Sequence, residues 1–263
     1  PTGYTELDRI IGGLQEGKLI MVAGRPGMGK TSFGLNLAIN VATHPVHPVP
    51  VLFFSLDLSR SRIANFMLSA LARVDADQIT RGRVGKSELP KLALATRKLS
   101  EAQIFIEAIS NLSLRALRVK AREMKKHHNV GMIVVDYFQC IEFSQANDRG
   151  EEPSIISRGL KAMAQELDIT VIALVLLGRS LEPRHDLRPR LSDLLNSRVV
   201  EQDADVIMLL YRNGWYNLTP MKKEMAELIV VKNHGGQIGS AELAFNKSIL
   251  RFDNLAHDAT RPG

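Results

Sequence analysis

One short segment of the sequence combines the residue types that bind the phosphates of a nucleotide. The segment reads Gly24-Arg25-Pro26-Gly27-Met28-Gly29-Lys30-Thr31, and Ser32 follows it. Glycines let backbone N–H groups curl around phosphate oxygens, and the start of a helix adds a favourable dipole. In such a loop Lys30 reaches the β- and γ-phosphates, and the Thr31 hydroxyl holds Mg²⁺. Because a strand-like run precedes the segment and a helix-like pattern follows it, the sequence predicts a site for a nucleoside triphosphate and Mg²⁺ rather than a chance glycine-rich turn.

A second acidic centre is needed to hold the metal ion. Asp136 directly follows the apolar run 132–135, which reads as a buried strand. Ligands of open α/β sheets bind at the carboxyl ends of the strands. We therefore predict that Asp136 is a Mg²⁺ ligand, in preference to an ordinary aspartate that caps a turn.

The elements that position these residues alternate along the chain. Strand-like apolar runs occupy 18–23, 51–54, 104–106, 132–135, 171–175, 206–210 and 228–231. Helical patterns occupy 31–42, 59–73, 87–100, 113–128 and 154–168. Runs that are apolar on both faces are typical of a parallel sheet covered on two sides, and the alternation predicts right-handed βαβ units. The expected fold is a single α/β domain over residues 1–263, with a mostly parallel central sheet flanked by helices and a C-terminal antiparallel strand pair.

The composition narrows the class of protein. The chain has 263 residues, of which 45% are hydrophobic and 24% charged, and this excludes disordered and fibrous classes. A net charge of +6 fits a polyanionic partner without deciding the question. The single cysteine, Cys140, rules out an internal disulfide and indicates a reducing compartment. No apolar run reaches the roughly 18 residues of a membrane span, and no signal peptide is visible, so we expect a cytoplasmic protein, or an organellar one after processing.

Several stretches together resemble the C-terminal motor domain of the bacterial replicative DNA helicases, the DnaB family, over essentially the whole chain. They are Pro1 to Asp8, the phosphate loop, Val51 to Leu56, Val135 to Gln139, Leu177 to Glu182 and Glu201 to Asp205. The resemblance implies a RecA-like fold and a homo-oligomer, a hexameric ring that binds ATP and Mg²⁺ at subunit junctions. It also implies single-stranded DNA in the central channel, and a primase or a helicase loader as candidate partners. By this resemblance we expect the sequence to correspond to the motor domain alone, without the family's N-terminal domain, which touches primase. Arg179 matches a basic family position near the nucleotide phosphates.

Three departures from the family pattern fall on its chemistry. The glutamate that activates the attacking water is Asp57 here, which draws the carboxylate back by roughly 1.5 Å, about one C–C bond. The glutamine that links the γ-phosphate to DNA is Leu176, whose side chain forms no hydrogen bond. The Lys-x-Arg pair that reaches the neighbouring subunit's nucleotide reads Lys232-Asn233-His234. Histidine lacks the guanidinium fork of an arginine finger, which is worth about 10³ to 10⁵ in rate.

The DNA-facing segments also depart from the family pattern. The family's Arg-Glu-Ser-Gly segment reads Leu195-Asn196-Ser197-Arg198, which moves the basic residue. Arg198 is a candidate phosphate contact. By resemblance the polar stretch 143–153 faces the channel, and this makes Arg149 a second candidate. A surface loop with no contact to DNA is the alternative interpretation of that stretch.

We therefore expect an ATP-hydrolysing DNA helicase motor. In this interpretation Lys30, Thr31 and Asp136 hold the phosphates and the metal ion, and Asp57 polarises water. Lys232 and His234 complete the neighbour's site in trans. The rival hypothesis, motivated by the three departures, is a helicase-like ring or regulatory protein that binds ATP with little hydrolysis. A recombination or clock-type ATPase is a third alternative, disfavoured by the Glu201 to Asp205 run.

Overall fold

The computed structural model describes residues 1–142, 152–178, 188–194, 201–212 and 225–255. Within these residues one nine-stranded sheet runs through the molecule, and helices cover both of its faces. The predicted α/β fold with a mostly parallel sheet is confirmed. No helix in these stretches is long and apolar enough to cross a membrane.

The sheet has the strand order β3-β2-β4-β5-β1-β6-β7-β8-β9. The strands are β1 (Leu19–Gly24), β2 (Val51–Ser55), β3 (Ile104–Ala108), β4 (Met132–Asp136), β5 (Thr170–Leu176), β6 (Val206–Tyr211), β7 (Met225–Asn233), β8 (Gly239–Asn246) and β9 (Arg251–Asn254). Strands β1 to β6 pair in parallel, and β7, β8 and β9 extend the sheet in antiparallel fashion from β6. The predicted C-terminal antiparallel strands are confirmed as β7 and β8, and β9 adds a third strand to the predicted pair.

The helices follow the local signals in the sequence. They are α1 (Thr5–Ile11), α2 (Lys30–Ala42), α3 (Arg60–Ala72), α4 (Ala76–Thr80), α5 (Leu89–Glu101), α6 (Leu114–His128) and α7 (Glu152–Leu167). Ser59 and Ser113 cap α3 and α6, since each hydroxyl accepts a hydrogen bond from a backbone N–H of the first turn. Pro90 lies in the first turn of α5, where its missing N–H is harmless. The short helices α1 and α4 were not predicted, because neither is long enough to display a helical period.

The core lies on both faces of the sheet. Successive side chains of a strand point to opposite faces, so Ile20 and Val22 join one buried cluster, while Leu19 and Met21 join the other. All of them are at most 1% exposed. Truncating one such aliphatic side chain to alanine typically costs about 2–5 kcal/mol. This packing fixes the carboxyl ends of β1, β4 and β5 next to one another.

Candidate functional site

The phosphate loop leaves β1 and enters α2 through residues with left-handed backbone. Gly27 has φ 80° and Gly29 has φ 93°, values that side-chain-bearing residues rarely adopt. A Cβ atom at Gly29 would also lie 3.2 Å from Phe252 Cζ and 3.4 Å from Phe245 Cζ. Gly29 is the N-cap of α2, so the unpaired N–H groups of the first helical turn face the loop. Both glycines are therefore required by the geometry of an anion cradle.

The ammonium group of Lys30 lies inside this loop. Lys30 is 8% exposed, and its Nζ donates to the carbonyl oxygens of Gly24, at 2.8 Å, and Arg25, at 3.1 Å. Burial lowers the pKa of Lys30 to about 8, although the charge of Asp136 opposes the shift. A buried cation with only carbonyl partners is a favourable site for the phosphates of a nucleotide.

Asp136 carries a buried carboxylate with an unpaired oxygen. It ends β4 and is 2% exposed, and its Oδ1 has no hydrogen-bond partner; the Thr31 hydroxyl lies close enough to favour the charged form of the carboxylate. Burial raises the pKa of Asp136 to about 6; Thr31 and Lys30 reduce the shift and the charge of Asp57 increases it. Leaving a buried acceptor unpaired costs about 1–3 kcal/mol. An oxygen in that condition beside a threonine hydroxyl fits a hard cation.

Thr31 and Asp136 could hold a metal ion only together with other ligands. Across the described stretches, no group of three His, Cys, Asp or Glu side chains converges on a metal site. Mg²⁺ is usually held by one or two carboxylates together with substrate phosphates and water. Thr31 and Asp136 supply that small protein share next to the phosphate loop.

Asp57 lies on the solvent side of this centre. It follows β2 and is exposed, and its charge acts on the pKa of Asp136. Its turn is held by Ser55, whose hydroxyl donates to Leu58 O at 2.9 Å and accepts from Leu58 N at 3.2 Å. The next N–H, that of Leu56, donates to the carbonyl oxygen of Asp136 at 2.7 Å. The carboxylate predicted to polarise water is thus open to solvent and adjoins β4, which we call the metal strand because it ends at the predicted metal ligand Asp136.

Leu176 is engaged through its backbone, a contact that sequence reasoning missed. The side-chain amide of Gln139 forms two hydrogen bonds with it, at 2.9 Å and 3.0 Å. Leu176 pairs with Gly24 in the sheet, and the next N–H, from Leu177, donates to Gly24 O at 3.1 Å. Lys30 donates to that same carbonyl. Gln139 therefore connects the metal strand, the end of β5 and the start of the phosphate loop.

Arg212 is a second residue that sequence reasoning missed. It follows β6, is 5% exposed, and its Nη1 donates to Gly27 O at 3.2 Å. Its guanidinium carbon lies 4.2 Å from the centre of the Phe245 ring, a cation–π contact. Burial lowers the pKa of Arg212. The sequence does contain one signal for this role: Arg212 directly follows the strand β6, at the end of the sheet where phosphates are expected.

Lys232 and His234 lie at the opposite edge of the sheet from the phosphate loop. Lys232 pairs with Ile207 near the start of β6, and its Nζ donates to the carbonyl oxygens of Glu201 and Ala204, the latter at 2.6 Å. The His234 N–H donates to the carbonyl oxygen of Asp205 at 2.8 Å. Through the register of β6 and β1, Lys232 is level with Met21 and His234 with Leu19, about 10 Å and about 17 Å before Gly24 at about 3.3 Å per residue. The Lys232 ammonium is also bound on the side away from the loop. Neither side chain therefore reaches the phosphate loop of its own chain.

The Glu201 to Asp205 run has a structural role. The Asp205 carboxylate accepts from the Leu19 N–H at 2.8 Å and pairs with Lys161 at 2.6 Å. Ser157 donates to Asp203. The run therefore joins α7 and the start of β1 to the strand that bears Lys232.

Three predicted site residues, Arg149, Arg179 and Arg198, lie outside the described residues. Their predicted contacts with phosphate or DNA stay predictions.

Comparison with known proteins gives one consistent family. The family model described as the DnaB-like helicase C terminal domain matches residues 1–254. The chain is 42% identical over 257 residues to the replicative DNA helicase DnaB of Geobacillus stearothermophilus, and 40% identical to the replicative DNA helicase DnaC of Bacillus subtilis. Each alignment covers 97% of this chain but only 56% of the relative. The chain thus spans little more than half of these curated relatives.

Solved structures agree in fold. One reports a DnaB-like replicative helicase and its interactions with primase; it superposes with a TM-score of 0.91 at 36% identity, over 97% of this chain and 62% of that one. A second, which is the structure of an ATPase domain, superposes equally well, with a TM-score of 0.91 at 36% identity, over 97% of this chain and 91% of that one. The predicted RecA-like fold is confirmed by these two structures.

Proposed function

Because this chain belongs to the family of DnaB-like helicase C-terminal domains, we propose that it is the ATP-hydrolysing motor domain of a replicative DNA helicase. The observation that supports this most directly is the convergence of Lys30, Thr31, Asp136 and Asp57 at one edge of the sheet. Asp136 contributes a buried oxygen without a partner, and Lys30 a buried cation whose hydrogen-bond partners are carbonyl oxygens. These two charges are arranged for a phosphate–metal complex.

Nucleotide binding uses the loop and its support. The N–H groups at the start of α2 and the Lys30 ammonium bind the phosphate oxygens of ATP, and Arg212 holds the loop from behind through Gly27. Thr31 and Asp136 would hold Mg²⁺, which would supply positive charge beside the β- and γ-phosphates. A bound phosphate would offer Lys30 a charged partner in place of the two carbonyl oxygens, and Asp136 Oδ1 would be available to the metal ion.

Hydrolysis requires a water molecule in line with the bond that breaks. Asp57 accepts a proton from this water while the water oxygen attacks the γ-phosphorus, and ADP leaves with the electron pair of the broken P–O bond. The exposed position of Asp57 beside the metal strand suits this role. Its side chain is shorter than glutamate, so its reach depends on the turn that Ser55 holds.

Completion of the site requires a second copy of the chain. Along the strand direction, at about 3.3 Å per residue, Lys232 lies about 10 Å and His234 about 17 Å before the end of β1. The Lys232 ammonium is bound at the carbonyl oxygens of Glu201 and Ala204, away from the phosphate loop of its own chain. Lys232 and His234 act on the nucleotide of a neighbouring subunit, and a closed ring, a hexamer in our proposal, supplies every site with such a neighbour. Single-stranded DNA occupies the channel of this ring, with Arg149 and Arg198 as proposed contacts. A primase and a helicase loader are the proposed protein partners.

Steady-state ATP hydrolysis tests this function directly. We would measure it with and without single-stranded DNA, at protein concentrations that span ring assembly. We expect a turnover of about 1 s⁻¹ or more that rises with DNA, and none in the Lys30→Ala variant. Tight ATP binding with negligible turnover and no response to DNA would contradict the motor and indicate an ATP-dependent assembly protein.

A further inference from the structure

A pocket lies at the sheet edge that bears His234, away from the phosphate loop. We call it the edge pocket; Arg9, Lys18, Asp205, His234 and two glycine turns line it. Its volume is about 360 Å³. None of the roles described above uses Arg9 or Lys18.

The charge of the edge pocket favours an anion. Arg9, Lys18 and His234 contribute basic side chains, and among the described residues that line it Asp205 is the one carboxylate. That carboxylate is neutralised, because Lys161 pairs with it at 2.6 Å and Lys18 at 3.5 Å. The Arg9 side chain is 78% exposed, and its ion pair with Glu6 is long, at 3.9 Å. An exposed pair of this kind is weak, so the guanidinium can exchange it for a stronger anion.

The walls of the edge pocket are fixed and allow close approach. The Asn233 side chain donates to Ile10 O at 3.2 Å and to Gln237 O at 2.9 Å, which ties the hairpin after β7 to α1. The turns have glycines with positive φ, Gly12 at 71° and Gly235 at 85°. Because these positions lack Cβ atoms, a ligand can approach the backbone there.

Lys232 does not serve this pocket in the described arrangement. Its ammonium donates to the carbonyl oxygens of Glu201 and Ala204, and it is not among the lining residues. Of Lys232 and His234, the two residues proposed to act on a neighbour's nucleotide, only His234 lines the edge pocket. Histidine has no guanidinium fork. Arg9 brings such a fork to the same pocket.

We propose that the edge pocket binds phosphate groups, and that Arg9, supported by Lys18, is a trans-acting catalytic residue for the nucleotide held by a neighbouring copy. This inference rests on the proposed function, since it assumes a ring with nucleotides at the subunit junctions. The guanidinium of Arg9 stabilises charge on the γ-phosphate, the role that the side chain of His234 cannot fill alone. A free phosphate or polyphosphate ion has the same chemistry, and the experiment separates the two sources.

The first part of the test asks whether the edge pocket binds phosphate at all. In the Lys30→Ala background, which removes the phosphate loop as a competitor, inorganic pyrophosphate is titrated and its binding followed by calorimetry. We expect binding that Arg9→Glu weakens at least about 10-fold, an arginine–phosphate contact being bidentate and charge-assisted. Arg97→Glu is the matched control, because Arg97 is 77% exposed and also pairs with a glutamate on its own helix. Equal pyrophosphate binding by Lys30→Ala alone and by Lys30→Ala combined with either Arg9→Glu or Arg97→Glu would overturn the phosphate site.

The second part asks whether the phosphate belongs to the neighbour. Arg9→Glu should lower kcat on the order of 10²-fold, somewhat less than a full arginine finger is worth, with ATP affinity nearly unchanged. Lys30→Ala subunits should be inactive. Mixing the two should restore hydrolysis, because a junction that joins an intact phosphate loop to an intact Arg9 is complete. If mixing restores no ATP hydrolysis, the phosphate bound in the edge pocket does not come from the neighbour's nucleotide. Pyrophosphate binding would then support a site for a free phosphate or polyphosphate ion.

These experiments distinguish a failure of the proposed function from a failure of the role proposed for Arg9. If the unmodified chain hydrolyses no ATP at any concentration, the proposed function fails, while the pyrophosphate titration still decides whether the edge pocket binds phosphate. If the unmodified chain is active and Arg9→Glu matches Arg97→Glu in kcat, the role of Arg9 is overturned and the proposed function stands.

Discussion

Gln139 holds the backbone of Leu176 from both sides: its Nε2 donates to the Leu176 carbonyl at 2.9 Å, and its Oε1 accepts from the Leu176 N–H at 3.0 Å. The side chain of Leu176 cannot make the hydrogen bonds expected of a glutamine at this position. The backbone of Leu176, however, is bound to the strand-end segment that contains Asp136. The end of β5 is thereby connected to the segment after β4 by two hydrogen bonds between the Gln139 side chain and the Leu176 backbone.

The first prediction concerns this pair. Gln139→Ala removes both hydrogen bonds and should lower kcat for ATP roughly 10-fold or more, since a shift of about 1 Å at a site can cost on the order of 100-fold. ATP affinity should change by less than about 3-fold, because the phosphate loop keeps its own contacts. Stability should fall by about 1–2 kcal/mol, the net worth of two ordinary hydrogen bonds. ATP titrations, steady-state kinetics and thermal unfolding of the same preparations measure all three.

Gln139→Glu serves as the control for this prediction. Glutamate can still accept from the Leu176 N–H but cannot donate to the carbonyl. A kcat equal to that of the unmodified protein in both variants would mean that the two hydrogen bonds between Gln139 and Leu176 have no role in turnover.

The second prediction concerns Lys30. Lys30→Ala removes the buried ammonium at the loop, so nucleotide binding should be lost, at least about 100-fold in Kd. The folded state should tolerate the change, because burial makes the lysine charge unfavourable and lowers the pKa of Lys30 to about 8. Equilibrium binding of a fluorescent ATP analogue and circular dichroism check the two halves. Unchanged affinity would show that the loop does not hold the phosphates.

Much of the fold was predictable because its signals are local. The continuous apolar runs of β1, β4 and β5 report burial on both faces, and the loop motif reports Lys30 and Thr31. These features need only neighbouring residues, so one sequence is enough to find them.

Other features depend on contacts between distant residues. Gln139 meets Leu176 37 residues away, and Arg212 meets Gly27 185 residues away. Neither pairing leaves a periodic or spaced pattern, since the sheet order alone brings the partners together. The binding of Lys232 to carbonyl oxygens depends in the same way on the strand register of β6 and β7.

The third prediction concerns the length of the Asp57 side chain. Asp57→Glu extends the carboxylate by about 1.5 Å towards the metal centre. If reach limits the reaction, kcat should rise by up to about 100-fold, with little change in ATP affinity, because in the proposed mechanism Asp57 acts on water and not on phosphate. Single-turnover hydrolysis isolates this step. A loss of rate would show that the turn held by Ser55 has been built around aspartate.

The fourth prediction contrasts two carboxylates with opposite pKa shifts. The pKa of Asp136 is raised from 3.8 to about 6 by burial. Below about pH 4 the carboxyl is protonated in both the folded and the unfolded state, and burial of its charge costs no stability. As the pH rises through 6, the buried group ionises and the folded state loses stability relative to acid. At pH 7 the charged form costs about 3 kcal/mol. Asp136→Asn removes that cost and should raise Tm of the nucleotide-free protein by several degrees, at about 2–4 °C per kcal/mol. The same change should abolish Mg²⁺-dependent hydrolysis.

Asp205→Asn should move stability in the other direction. Burial by itself raises the pKa of Asp205, but hydrogen bonds from Lys161 and the Leu19 N–H outweigh it, so the pKa is lowered. Its contribution is therefore present at neutral pH and is lost as the pH falls through the folded-state pKa. Asp205→Asn should lower Tm at pH 7, and the deficit should shrink in acid, whereas the gain in Asp136→Asn should vanish there. Tm measurements of both variants from pH 4 to pH 8 test this contrast. Tm shifts of the same sign at pH 7 would contradict the conclusion that the buried charge of Asp136 destabilises the nucleotide-free protein.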